Sequence, residues 1–147
     1  PETYYELSKH KNIVAAKEAN GDISALAQTV KLCGDELTIY SGNDDQITAF
    51  MSLGAKGVIS VLSNIAPRAV HDMVKMYLDG DTAASTELQL KYLDLCSSLF
   101  SDVNPIPVKE AMNMMGMEVG SCRLPLAQIQ PQAKEKLRRS LSALGMI

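Results

Sequence analysis

The sequence predicts an α/β fold built on a parallel sheet and followed by an all-helical C-terminal part. Three observations predict it. Apolar, β-prone runs alternate with helical spacing three times between Asn12 and Leu78. Each run is bounded by Gly, Asn, Asp or Ser turns, and from Asp81 onward the strand signals stop. Strands recurring at about 20–25 residues must run parallel, because each intervening helix returns the chain to the same edge of the sheet. A closed barrel and an open sheet both satisfy this pattern.

Residues 2–10 read as a short helix, opened by the fixed φ of Pro1 and by an acid, Glu2, near the positive helix end. A chain opening at Pro1-Glu2-Thr3 reads as a start inside a larger fold. Asn12 to Lys17 is almost wholly apolar and ends in a charge, which suits a strand buried on both faces. Ala19-Asn20-Gly21-Asp22 then supplies a turn and an N-cap, after which Ile23, Leu26, Ala27, Val30 and Cys33 recur at helical spacing. The second strand, Leu37-Thr38-Ile39-Tyr40, halts at Ser41-Gly42-Asn43-Asp44, before a helical stretch with Ile47, Phe50, Met51 and Leu53. Gly54-Ala55-Lys56-Gly57 breaks that helix, Val58 to Leu62 forms a third strand, and Asn64 to Pro67 leads into a helix through Leu78. Past Asp79-Gly80-Asp81, helices are expected over Thr82–Phe100, Pro107–Met115 and Pro131–Leu144, with Asn104-Pro105-Ile106-Pro107 forcing extended backbone before the second. The expected division is therefore 1–80 for the β/α units and 81–147 for a helical domain.

Composition removes several function classes. With 147 residues, 46% of them hydrophobic, the chain can bury one core. A net charge of -3 argues against a surface that tracks phosphates. The basic residues Lys134, Lys136, Arg138 and Arg139 lie opposite Ala133, Leu137, Leu141 and Leu144, the pattern of a solvated helix face and not of a nucleic-acid site. Cys33, Cys96 and Cys122 stand far apart without a CxxC pair, so neither a zinc site nor a disulfide framework is expected, and a reducing cytoplasm is the simplest home. His10 and His71 lack partners at ligand spacing, so no metal is expected. No apolar run approaches the roughly 20 residues of a membrane span, and no signal-type leader is present, so a soluble, unsecreted protein with no membrane partner is expected. The crowded Met112, Met114, Met115 and Met117 read as helical core or subunit packing.

Lys17 carries the strongest chemical signal. It ends the first strand, where α/β folds and β/α barrels place their catalytic groups. In a partly dry pocket its ammonium loses solvation, and the neutral amine needed to attack a ketone becomes accessible near neutral pH. The ordinary alternative is a lysine that reaches out to water or pairs with Glu18 across the next loop. Gly42, in the turn after the second strand, permits a close approach of backbone to ligand, although by itself the segment is only a turn. In the third strand Ile59 shares a face with Val61, and a core position is its ordinary reading.

Taken in order, Val14-Ala15-Ala16-Lys17-Glu18-Ala19-Asn20-Gly21, Ser41-Gly42-Asn43-Asp44 and Gly57-Val58-Ile59-Ser60-Val61 resemble the dihydrodipicolinate synthase family in sequence and spacing. Asn104-Pro105-Ile106-Pro107-Val108-Lys109 and Arg123-Leu124-Pro125-Leu126 look like two further marks of that family, so the resemblance covers nearly the whole chain. It implies a (β/α)₈ TIM barrel with a C-terminal helical domain, of which this chain would be the C-terminal half with the last three strands. It also implies that Lys17 forms an imine with pyruvate, whose enamine adds to aspartate semialdehyde on the way to lysine through diaminopimelate. Gly42 and Ile59 would then line the pyruvate pocket through backbone atoms, with no metal or organic cofactor.

The same resemblance leaves other parts unassigned. The family's proton-relay Thr and Tyr residues, its carboxylate-reading arginine and the lysine-feedback site belong to the N-terminal half, and none of Tyr4, Tyr5, Tyr40, Tyr77 and Tyr92 matches a relay position. Two other readings follow from the shared lysine and barrel: a related pyruvate aldolase, such as N-acetylneuraminate lyase or a keto-deoxy-sugar aldolase, or a non-catalytic half-barrel. Expected partners are the small-molecule substrates and either further copies, as in a homotetramer, or a complementary N-terminal half-barrel. Open sheet edges predict that the isolated chain is inactive and prone to association.

Overall fold

All 147 residues are described by the computed structural model. The elements follow the expected order apart from the third strand: α1 (Glu2–Ser8), β1 (Ala15–Glu18), α2 (Ile23–Cys33), β2 (Thr38–Ser41), α3 (Ile47–Ser52), α4 (Pro67–Leu78), α5 (Thr82–Leu99), α6 (Ile106–Met114) and α7 (Pro131–Ala143). They form two compact units, one of Pro1–Ser60 with Asp72–Gln89 and one of Val61–His71 with Leu90–Ile147. Each unit is thus assembled from two stretches of chain. The expected division at residue 80 follows element types along the sequence.

In the first unit β1 and β2 run parallel, in a register from Ala15 opposite Thr38 to Glu18 opposite Ser41. Two further bonds extend the ladder: Thr38 N–H donates to the Val14 carbonyl at 3.0 Å, and Gly42 N–H donates to the Glu18 carbonyl at 2.7 Å. Because side chains alternate across a strand, Ala16, Glu18, Ile39 and Ser41 share one face, and Ala15, Lys17, Thr38 and Tyr40 the other. The first face is covered. Leu26, Cys33, Leu37, Ile39, Phe50 and Ala55 form a buried cluster there, with Tyr4, Ile13, Ala16, Val30 and Leu53 packed against it.

The opposite face corrects one expectation, because β1 is not buried on both sides. Ala15 and Lys17 are exposed, and Val14 just before them is 67% exposed. The apolar run fits a strand whose second face becomes interior only when a barrel closes around it. The third expected strand is corrected too. Val58 makes a single parallel bridge to Ser41, and Leu62–Asn64 already turns as a 3₁₀ helix. Ladder bonds are nevertheless present, from Ser41 N–H to the Gly57 carbonyl at 2.9 Å and from Ile59 N–H to the Ser41 carbonyl at 2.8 Å. Extended backbone with one pairing edge and an early turn makes a bridge where a longer ladder would make a strand.

Helix α2 starts where Asp22 stops the extended chain. Its φ is -92° and its ψ 100°, and its carboxylate accepts the Ala25 N–H at 3.0 Å, satisfying one of the amides a helix start leaves open. Replacing Asp22 by alanine should cost about 1 kcal/mol, read as a lower thermal midpoint with an unchanged circular-dichroism spectrum.

In the second unit α7 buries Ala133, Leu137 and Leu141, the face that helical spacing predicts. Ser98 and Ser140 hydroxyls meet at 2.7 Å, and Lys136 Nζ donates to Ser97 Oγ at 2.8 Å, tying α7 to α5. On the outer face Glu135 bonds both Arg138 and Arg139, and these two guanidiniums pull its carboxyl down to about 2. The extended backbone expected around Asn104–Pro107 is shorter than the prolines suggest, since Pro105, with φ -100° and ψ 22°, already caps α6. No helix is long and apolar enough to cross a membrane.

Candidate functional site

The tips of β1 and β2 build the site. Lys17 is the third residue of β1, opposite Tyr40 in the register, and alternation places it on the uncovered face. It is exposed. The expected partly dry pocket is therefore not supplied by this chain alone, because the face on which Lys17 stands has no covering layer here. The ordinary alternative of an ion pair with Glu18 does not form either. Glu18 points to the covered face, is 7% exposed, and accepts the Asn20 N–H at 2.8 Å.

Glu18 also has a neighbour that sequence reasoning missed. Tyr4, from α1, neighbours the Glu18 carboxylate, and burial, with that nearby negative charge, pushes the phenol above its ordinary 10.0. A raised folded value means that the stabilisation is whole below pH 10.0 and is lost as pH climbs through the raised value. In denaturant titrations the parent should therefore lose stability relative to Tyr4→Phe as pH rises above 10.0.

Gly42 lies directly against Lys17. A Cβ on Gly42 would stand 2.6 Å from Ala19 Cβ, 2.9 Å from Lys17 Cε and 3.2 Å from the Glu18 carbonyl. Such separations are below van der Waals contact, so only glycine lets the second loop close on the lysine. The glycine's N–H is engaged by the Glu18 carbonyl, which leaves its carbonyl as the backbone group it can offer a ligand.

Ser41 locks the turn around Gly42. Its hydroxyl accepts the Asn43 N–H at 3.1 Å and donates to the Asn43 carbonyl at 2.9 Å, while Ser41 itself is fully buried. Serine before a Gly-Asn turn is a readable signal for such a local bond, although only the structure assigns it both partners.

Ile59 joins the same tip through backbone. Its N–H reaches the carbonyl of Ser41, the residue before Gly42, at 2.8 Å. Its side chain is 49% exposed, so it is not the core residue that strand position alone suggests. The structure thus brings Lys17 and Gly42 together directly and links Ile59 to them through Ser41. Gln46, on the next turn, spans the loops by donating to the Gly21 carbonyl at 3.3 Å. No group of three or more His, Cys, Asp or Glu side chains is gathered where it could hold a metal ion.

Comparison with known proteins bears on the whole chain. The sequence profile of the Dihydrodipicolinate synthetase family matches residues 1–144. The 4-hydroxy-tetrahydrodipicolinate synthase of Thermoanaerobacter sp. strain X514 is 49% identical over 148 aligned residues, covering 100% of this chain and 50% of that protein. Among solved structures, the dihydrodipicolinate synthase of Thermotoga maritima superposes with a TM-score of 0.95 at 38% identity, covering 100% of this chain and 51% of that one. The chloride-inhibited dihydrodipicolinate synthase of Acinetobacter baumannii complexed with pyruvate gives 0.94 at 36% identity, covering 99% and 50%. The chain spans about half the length of the relatives it matches. Parallel strands with a polar tip, a helical C-terminal part and this profile lead to one assignment: the chain belongs to the dihydrodipicolinate synthetase family and carries part of its TIM-barrel fold.

Proposed function

We propose that this chain contributes the Schiff-base lysine of an enzyme that condenses pyruvate with aspartate semialdehyde in lysine (diaminopimelate) biosynthesis. One observation supports the reading above the others: Lys17 stands at a strand tip with its Cε so close to Gly42 that no larger residue fits there. The Lys17 amine adds to the keto carbon, water leaves to give an iminium, and loss of a methyl proton gives the enamine whose carbon attacks the aldehyde. Gly42 and Ile59 have their N–H groups engaged within the sheet, so what they offer is carbonyl oxygens. These suit the N–H of an iminium or amine, and they do not suit a carboxylate. The donors that hold the carboxylate of pyruvate therefore come from the remainder of the barrel.

Closure of that barrel is also what dries Lys17. The 147 residues alone should accordingly show no measurable condensation and a tendency to associate through the exposed β1 face, whereas adding a complementary N-terminal half-barrel should restore turnover. Sedimentation of an active monomer of the isolated chain would contradict this. Further copies in a homo-oligomer, and a reducing, cytoplasmic setting suited to three free thiols, belong to the same proposal.

The assignment is tested by borohydride reduction in the presence of pyruvate, followed by peptide mass spectrometry of the enzyme carrying this segment. A pyruvyl adduct on Lys17 is expected, and an unmodified Lys17 peptide from folded enzyme would overturn it. Comparing turnover of aspartate semialdehyde with that of sugar aldehydes separates this reading from a sugar-acid aldolase.

A further inference from the structure

The loop that carries Gly42 is held from a distance by a residue with no place in the chemistry. Gln89, on α5, is 7% exposed. Its amide oxygen accepts the Thr48 N–H at 2.7 Å, and its amide nitrogen donates to the Asp45 carbonyl at 2.7 Å. Neither group has a partner within regular structure of its own: Thr48 N–H belongs to the first turn of α3, where amides lack an intrahelical acceptor, and Asp45 sits in the 3₁₀ turn Asp44–Gln46 just before it. One side chain therefore clamps the helix side of the corner that turns β2 into α3.

That corner begins at Gly42. The Ser41 hydroxyl pins it on the strand side through Asn43, and Gln89 pins it on the helix side. Between the two, Gly42 has little freedom to move from its position against Lys17, where a shift toward the lysine would bring backbone into contact with Cε. We propose that Gln89 is a positioning residue: by clamping Asp45 and Thr48 it sets the place of Gly42 and, through Gly42, the placement of Lys17 and of a keto acid bound to it. This rests on the Schiff-base reading of Lys17.

Gln89→Leu keeps the shape and removes both bonds. In the enzyme carrying this segment it should raise the KM for pyruvate about tenfold, as expected for the loss of two buried bonds. The kcat at saturation should stay within about twofold, because the loop is displaced equally in ground and transition states. Gln89→Met keeps the length and likewise makes neither bond, so its KM should rise by a similar factor, and it serves if the leucine variant does not fold.

Ser85→Ala is the control for a purely structural bond on the same helix, since Ser85 Oγ donates to the Met73 carbonyl at 2.7 Å. It should lower Tm and leave KM unmoved. If the Gln89 variants behave like Ser85→Ala, with Tm reduced and KM for pyruvate unchanged, the proposal is overturned. Hydrogen exchange of the Thr48 amide, about tenfold faster in Gln89→Leu than in the parent, reads the clamp without any turnover. A parent enzyme that traps no pyruvate on Lys17 while its Thr48 amide is protected by Gln89 would refute the catalytic reading and with it the role assigned here to Gln89.

Discussion

Replacing Lys17 by arginine should abolish the pyruvate adduct trapped by borohydride and lower condensation by at least about a thousandfold, roughly 4 kcal/mol of barrier. The substitution keeps the charge and most of the length, so electrostatic support of a bound carboxylate would survive it. What it removes is the deprotonatable amine, because a guanidinium stays protonated in proteins and cannot add to a ketone. Lys17→Ala should behave the same way while also removing the contact of Cε with the Gly42 loop. Single-turnover measurements with labelled pyruvate distinguish the roles: a lysine that only attracts the carboxylate would leave a weakened but trappable adduct elsewhere, and a nucleophile leaves none.

Gly42→Ala should be the second most damaging single change at the site. The added methyl would stand 2.6 Å from Ala19 Cβ and 3.2 Å from the Glu18 carbonyl, and both belong to stiff parts of the chain. Lys17 Cε, at 2.9 Å, is the flexible neighbour and can swing away, but swinging away removes the amine from its place. Overpacking of this kind costs about 1–3 kcal/mol, which for a protein of this size lowers Tm by several degrees. The expected result is a coupled loss, with lower stability and at least about tenfold slower adduct formation. Unchanged Tm and unchanged adduct formation would show that the two loops do not close on each other as described.

Much of this was legible residue by residue. The helix at Pro67–Leu78 and those beginning at Thr82 and Pro131 were found where periodicity and prolines put them, because their signals are local: spacing of apolar residues, a capping side chain, a break at glycine. Lys17 and Gly42 were also legible as strand-end residues. Their contact was not, since 25 residues separate them and nothing local encodes the parallel register that aligns Lys17 with Tyr40. Gln89 left no signal at all. It is a glutamine in a helix, and its importance arises only from the two backbone groups that the fold sets against it.

Alternation of apolar runs, turn residues and helical spacing determined by themselves the class of fold, the order of its helices and the place of Lys17 toward the end of a strand. Those properties depend on neighbours a few positions away. Only the tertiary structure decided which face of β1 is covered, that the third run pairs through one residue, and that Glu18 turns away from Lys17 toward Tyr4 and Asn20. Each of these depends on which distant segment occupies the space beside a strand, and burial and hydrogen bonding are settled by that occupancy and not by the residue's own preference.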